Sequence, residues 1–164
     1  MVTPSPIVSP SPAPLTDNEL LALIPENARR SDFFGATAFV EFYVDLYPEL
    51  FVDKPDTALF DFLSIDGCVF CAGALRDSAE TVAASAHSEG GVFTFDDSIG
   101  QGGPRDDGFT YVGRRFTVTD TVTYFADGSE HRTVPGGTGI VALRTKFEDG
   151  VWRVYEAEFK YDDA

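Results

Sequence analysis

Little in this 164-residue chain is basic: 12 Lys and Arg face 27 Asp and Glu, a formal net charge of −15. Phosphate backbones repel such a surface, which argues against a nucleic-acid partner, and anionic lipid is disfavoured for the same reason. Methionine and tryptophan occur once each, and there are only two cysteines and two histidines. No second Cys pair or His cluster is available to complete a zinc site with Cys68 and Cys71, so no cofactor is expected. No run of 18 apolar residues is present to span a bilayer. Met1–Leu15 lacks the basic start and apolar segment of a secretory leader. What is abundant is phenylalanine, 15 residues in a composition that is 43% hydrophobic. That is the material of a folded core, since disordered chains are poor in aromatics.

The start of the chain, with Pro4, Pro6, Pro10, Pro12 and Pro14, reads as an extended spacer because proline removes backbone donors. Residues 1–17 are therefore expected to be a disordered Pro/Ser-rich tether, and residues 18–164 a single α+β domain. Thr16 or Asp17 caps a short segment, Asn18–Ile24. Asp32 or Ser31 caps a long helix over Phe33–Tyr47, which Pro48 should stop. A shorter helix is expected over Lys54–Leu63, and a third over Cys71–His87 with Leu75, Ala79, Val82, Ala83 and Ala86 on its buried face.

From Val92 the period changes to two. Val92–Phe95 is a short strand, Asp96–Gly108 a solvated glycine-rich acidic loop, and Phe109–Ala126 a long strand with Val112, Phe116, Val118, Val122 and Tyr124 on one face. His131–Val134, Gly139–Phe147 and Val151–Tyr161 complete a meander, with tight turns at Asp127-Gly128 and Asp149-Gly150. Helices first and strands afterwards give an α+β fold, with the helices packed in the concave face of a curved antiparallel sheet.

The stretch Gly35-Ala36-Thr37-Ala38-Phe39-Val40, then Leu59 and Leu63, Cys68-Val69-Phe70-Cys71 and the closing Gly150-Val151-Trp152-Arg153-Val154 resemble an actinobacterial family of secreted lipoproteins of unknown function. The resemblance covers Leu20–Phe159 and implies a nuclear transport factor 2-like (cone) fold, a location outside the cytoplasm, and a lipid anchor and signal segment not contained in this chain. It implies no chemistry. A cell-surface binding or accessory domain follows, with an unknown protein or small-molecule ligand. Self-association through the outer sheet face is an expectation of the same resemblance.

Three groups could carry chemistry. Cys68 and Cys71 fit a structural disulfide, a redox pair or, least well, part of a metal site. The strand and βαβ unit that precede a thioredoxin-like site are absent. Asp120 falls, by strict alternation, on the face of Phe116, Val118, Val122 and Tyr124. A buried carboxylate there would serve as a general base with Tyr43 or Tyr124 as acid, in an isomerase or dehydratase. A bulge turning Asp120 to solvent or toward Arg114 is the other reading. Asp96, Asp97, Asp106 and Asp107 flank the glycine-rich loop and are weak calcium candidates, because their spacing does not match an EF-hand. His87 is expected to cap a helix end, and His131 to lie exposed after a turn.

Overall fold

The computed structural model describes residues 13–98 and 100–163. Most of the Pro/Ser-rich arm, residues 1–12, lies outside them. Thr16, expected as a cap, is the N-cap of helix α1 (Asp17–Ala22), which begins one residue before the expected Asn18: the Thr16 hydroxyl accepts from Glu19 N–H and the Glu19 carboxylate accepts from Thr16 N–H. These reciprocal bonds satisfy donors that a six-residue helix would leave open. A 3-10 turn at Glu26–Arg29 leads to α2 (Phe33–Glu49), capped by Asp32, whose carboxylate accepts from Gly35 N–H at 2.8 Å. Gly35 cannot be larger, because a Cβ would lie 1.9 Å from the Arg30 carbonyl oxygen.

Helix α2 runs two residues past the expected stop and keeps Pro48 in its last turn. Helix α3 (Ala58–Leu63) is shorter than the expected Lys54–Leu63. Helix α4 (Val69–Ala83) starts and ends earlier than expected. Its end is a Schellman motif: Ser85 is left-handed (φ 52°), Ala86 N–H bonds to Thr81 O, and Ser85 N–H bonds to Val82 O. His87 therefore caps no helix; it opens strand β1 (His87–Gly90). The buried face of α4 is Cys71, Ala74 and Ser78, while Val82 is half exposed. The expected stripe was displaced because small residues there carry too little apolar contrast to define a face.

The main sheet has the order β2-β4-β7-β8: β2 (Phe93–Phe95), β4 (Thr110–Val118), β7 (Gly137–Glu148) and β8 (Val151–Tyr161), all antiparallel. The glycine-rich segment is not all loop. Gln101–Pro104 forms β3, which joins the same edge of β4 as β2 does. Gly102 permits this, since its φ is 121° and a Cβ would strike Tyr111 O at 2.1 Å. The helices pack on one face of this curved sheet, and a single apolar cluster fills the space. Phe39, Val40, Tyr43, Phe60 and Leu63 meet Val112, Phe116, Val141, Leu143 and Val154 there. The architecture is the expected α+β roll.

The long strand expected over Phe109–Ala126 is two strands in two sheets. β4 stops at Val118, and β5 (Thr121–Tyr124) pairs with β1 on one side and β6 (Glu130–Val134) on the other. Val112, Phe116 and Val118 are buried as alternation requires, but Val122 and Tyr124 are only half buried.

Candidate functional site

Asp120 lies at the break between β4 and β5, so its side chain does not follow the alternation of β4. It is exposed, and its carboxylate accepts from Gly136 N–H at 2.6 Å. The physical reason is packing: Gly90 (φ 81°) and Gly136 approach the Val118–Asp120 backbone so closely that a Cβ on either would collide with it. This packing bends the strand away from the core. Asp120 turns to solvent, as a bulge would turn it, but not toward Arg114, which points into the core.

Tyr43 is buried in α2, with its hydroxyl 2.8 Å from Ser64 Oγ and donating to Cys71 Sγ at 3.1 Å. Burial pushes its ionisation well above the usual tyrosine range, partly offset by the Ser64 hydrogen bond. Tyr124 stacks on His87 in the small sheet, with ring centroids 5.6 Å apart. None of these contacts joins Asp120 to either tyrosine. The geometry is not that of an acid–base pair enclosed in a cavity.

Cys68 and Cys71 are joined as a disulfide, and the residues are 0% and 1% exposed. Cys68 is the N-cap of α4, its sulfur accepting from Cys71 N–H at 3.2 Å. Thiol exchange requires an approach to sulfur that this packing denies. His131 is exposed, its ring 4.5 Å from that of Phe125.

The four loop aspartates do not converge, and among the described residues no group of three or more His, Cys, Asp or Glu is placed to hold a metal ion. The Asp96 carboxylate accepts from Ser98, and that of Asp107 from Phe109 N–H and the Tyr111 hydroxyl. These bonds hold both carboxyls below the usual range. They close turns.

The residues that sequence reasoning passed over are Arg114, Glu41 and Thr37. β2 pairs with Phe116–Val118 and β3 with Thr110–Gly113, so the edge strand is interrupted opposite Arg114 and Arg115. Arg114 shares the inward face with Val112 and Phe116 and is 3% exposed. Its guanidinium donates to the carbonyls of Asp96 and Ser98 and to the Glu41 carboxylate on α2. Together with Phe34, Thr37 and Ala38 of α2 and Phe93 and Phe95 of β2, these groups line an open cleft of about 530 Å³. Three buried side-chain atoms lack a hydrogen-bond partner among the described residues: Thr37 Oγ1, Arg114 Nε and Arg144 Nε. Two of the three are on residues that line this cleft, with the atoms themselves buried. The signal was present in the sequence, since Arg114 is a cation in an apolar alternation register.

A second recess, of about 640 Å³, includes the cross-strand row Gln101, Gly113, Ala142 and Glu158. Its arginines are engaged through their terminal groups and ring faces, although Arg144 Nε has no partner among the described residues. Arg105 lies over the Tyr111 ring at 4.4 Å, and Arg144 lies over Phe109 at 4.4 Å and pairs with Glu156 at 3.2 Å.

No protein-family model matches the chain, and no curated protein matches it. Solved structures do. The intermembrane space region of the chloroplast protein ARC6 superposes with a TM-score of 0.62 at 12% identity, covering 81% of this chain and 99% of that one. Aln2 from a Streptomyces species aligns with a TM-score of 0.46 at 16% identity over 79% of this chain and 90% of that one. At these identities the likeness shows the fold alone: an α+β roll shared with the ARC6 region.

Proposed function

We propose that the chain is an extracytoplasmic binding or accessory domain, of the secreted-lipoprotein type that its sequence resembles. The observation that carries this reading is the Cys68–Cys71 disulfide, buried at the start of α4. Disulfides persist in oxidising compartments and are rare where glutathione keeps thiols reduced. The bond fixes the entry of α4 and places Cys71 Sγ beside the Tyr43 hydroxyl, a structural use of both cysteines. The strongly acidic surface favours a soluble, repelling exterior over contact with nucleic acid. The partner is a protein or a small molecule, and attachment to a membrane is through a lipid outside this sequence. Among the described residues no helix is long and apolar enough to cross a membrane.

The test is the thiol state of the protein recovered from its native host. Alkylation in denaturant without reductant is expected to leave both cysteines unmodified, and alkylation after reduction to label both. Labelling of both before reduction overturns the proposal.

A further inference from the structure

The recess of about 640 Å³ lies on the outer face of the main sheet, turned away from the helices. Val112 and Leu143 point into the core, so their strand neighbours Gly113 and Ala142 face outward. Gln101 on β3 and Glu158 on β8 extend this outward row to both edges of the sheet. A hydrogen and a methyl group in the middle of the row leave a trough that crosses the strands. Beyond β8 the turn into α4 closes it with Gly67, Phe70 and Val69, the last 85% exposed. Toward β3 it is walled by Tyr111, whose ring carries the Arg105 guanidinium at 4.4 Å.

Charge narrows the occupant. The charged residues of the lining are Arg105, Arg144, Glu156 and Glu158, which balance one another on a chain whose net charge is −15. Arg144 and Glu156 pair with each other at 3.2 Å. Arg105 and Glu158 are exposed, and neither has an ion-pair partner among the described residues. They stand at opposite ends of the trough. The Arg105 guanidinium lies over Tyr111 on β4, and β8 is two strands further on. Two strand spacings of about 4.8 Å put these charges roughly 10 Å apart. A ligand of one sign would be attracted at one end and repelled at the other, whereas a dipolar ligand of that length meets both. An extended tripeptide with free termini has its ammonium and carboxylate about 10 Å apart.

We propose that this trough binds a short zwitterionic peptide, its terminal carboxylate held by Arg105, its terminal ammonium by Glu158, and its backbone crossing the floor of Gly113 and Ala142. The side chain at the ammonium end lies against Val69 and Phe70. The volume is within the range of small-molecule sites. This inference rests on the binding-domain reading and assigns its ligand class. The two fail separately, because the thiol test above makes no use of the trough.

The experiment uses trialanine, N-acetyl-trialanine and trialanine amide, titrated at low salt into the isotope-labelled full chain and followed through backbone amide resonances. Trialanine is expected to move the amides of 101–105, 111–113, 142–144 and 156–158 in a saturable manner. Each capped form lacks one terminal charge and is expected to bind at least about threefold more weakly. Arg105→Glu and Glu158→Lys replace exposed side chains and are expected to retain the dispersed spectrum of the folded protein. Each should weaken trialanine about tenfold, since attraction becomes repulsion at one end. The double variant exchanges the two charges and should restore binding to within about threefold, with the peptide reversed. Three results overturn the inference: a capped peptide that binds as tightly as trialanine, a double variant no tighter than the single ones, or no saturable shift with trialanine up to about 20 mM.

Discussion

Helix α2 carries a buried polar cluster on each of two sides, and the two are built differently. Around Tyr43 every hydroxyl is partnered: that of Tyr43 donates its one proton to Cys71 Sγ with Ser64 Oγ 2.8 Å away, Ser64 Oγ donates to Phe60 O at 2.6 Å, and the disulfide closes the set. Around Glu41 the set is incomplete among the described residues: Arg114 Nε and Thr37 Oγ1 are buried and have no hydrogen-bond partner. A completed network specifies a core, whereas each unpartnered buried group costs stability. The first cluster is the more complete of the two, and the second ties β4 to α2 through the Arg114–Glu41 ion pair.

The largest effect should come from breaking the second cluster. Arg114→Met retains an apolar stem but releases the Asp96 and Ser98 carbonyls and the Glu41 carboxylate. A loss of about 3 kcal/mol is expected in denaturant unfolding, smaller than for a fully buried pair because Glu41 reaches solvent. Next comes the disulfide. Replacing both cysteines by serine should cost about 2 kcal/mol, since the closed loop is short but the polar replacements are buried. The measurement is the thermal midpoint of the double variant against the wild type.

Tyr43→Phe sharpens the comparison. Ser64 keeps its bond to Phe60 O, so only the bonds of one hydroxyl are lost, and a destabilisation of about 1 kcal/mol is expected. Denaturant unfolding of this variant beside Arg114→Met measures it. A cost as large as that of Arg114→Met would erase the distinction between the clusters.

The smallest effect has the opposite sign. Partial desolvation and then Glu41 raise the Asp45 carboxyl above its ordinary value of 3.8, so its charged form opposes folding, weakly because the side chain is exposed and solvent screens it. A carboxyl raised in the folded state contributes stability that is fully present below the unfolded-state value and is lost as pH rises through the folded-state value. Asp45→Asn should therefore stabilise the protein by a few tenths of a kcal/mol at neutral pH, and this gain should disappear as the pH is brought below about 4. Thermal midpoints at the two pH values check it; a gain that persists in acid would show that the Asp45 charge is not its source.

Much of the scaffold was legible because its signals are local. Thr16 and Asp32 announced helix starts through oxygens that reach backbone donors three residues on. The change of period placed the strands after the helices, although β1 (His87–Gly90) begins before Val92, and the Asp149-Gly150 turn joined β7 to β8 as expected. The Ser85 helix end was not legible, since a serine in a left-handed conformation has no composition signature. The candidate site was half legible. The same alternation rule that marked Asp120 also marks Arg114, and it was right for the residue inside a continuous strand and misleading for the one at a break.

By itself the sequence determined the α+β class, the helix caps, the acidic surface and the closeness of the only two cysteines, all of which follow from spacing and composition along the chain. Only the tertiary structure decided that Gly90 and Gly136 bend the strand at Asp120, that β2 and β3 leave a gap opposite Arg114, and that Glu41 lies across from it. Those outcomes depend on contacts between segments up to 73 residues apart. Close approach and partnering at such distances are properties of packing, and no local pattern encodes them.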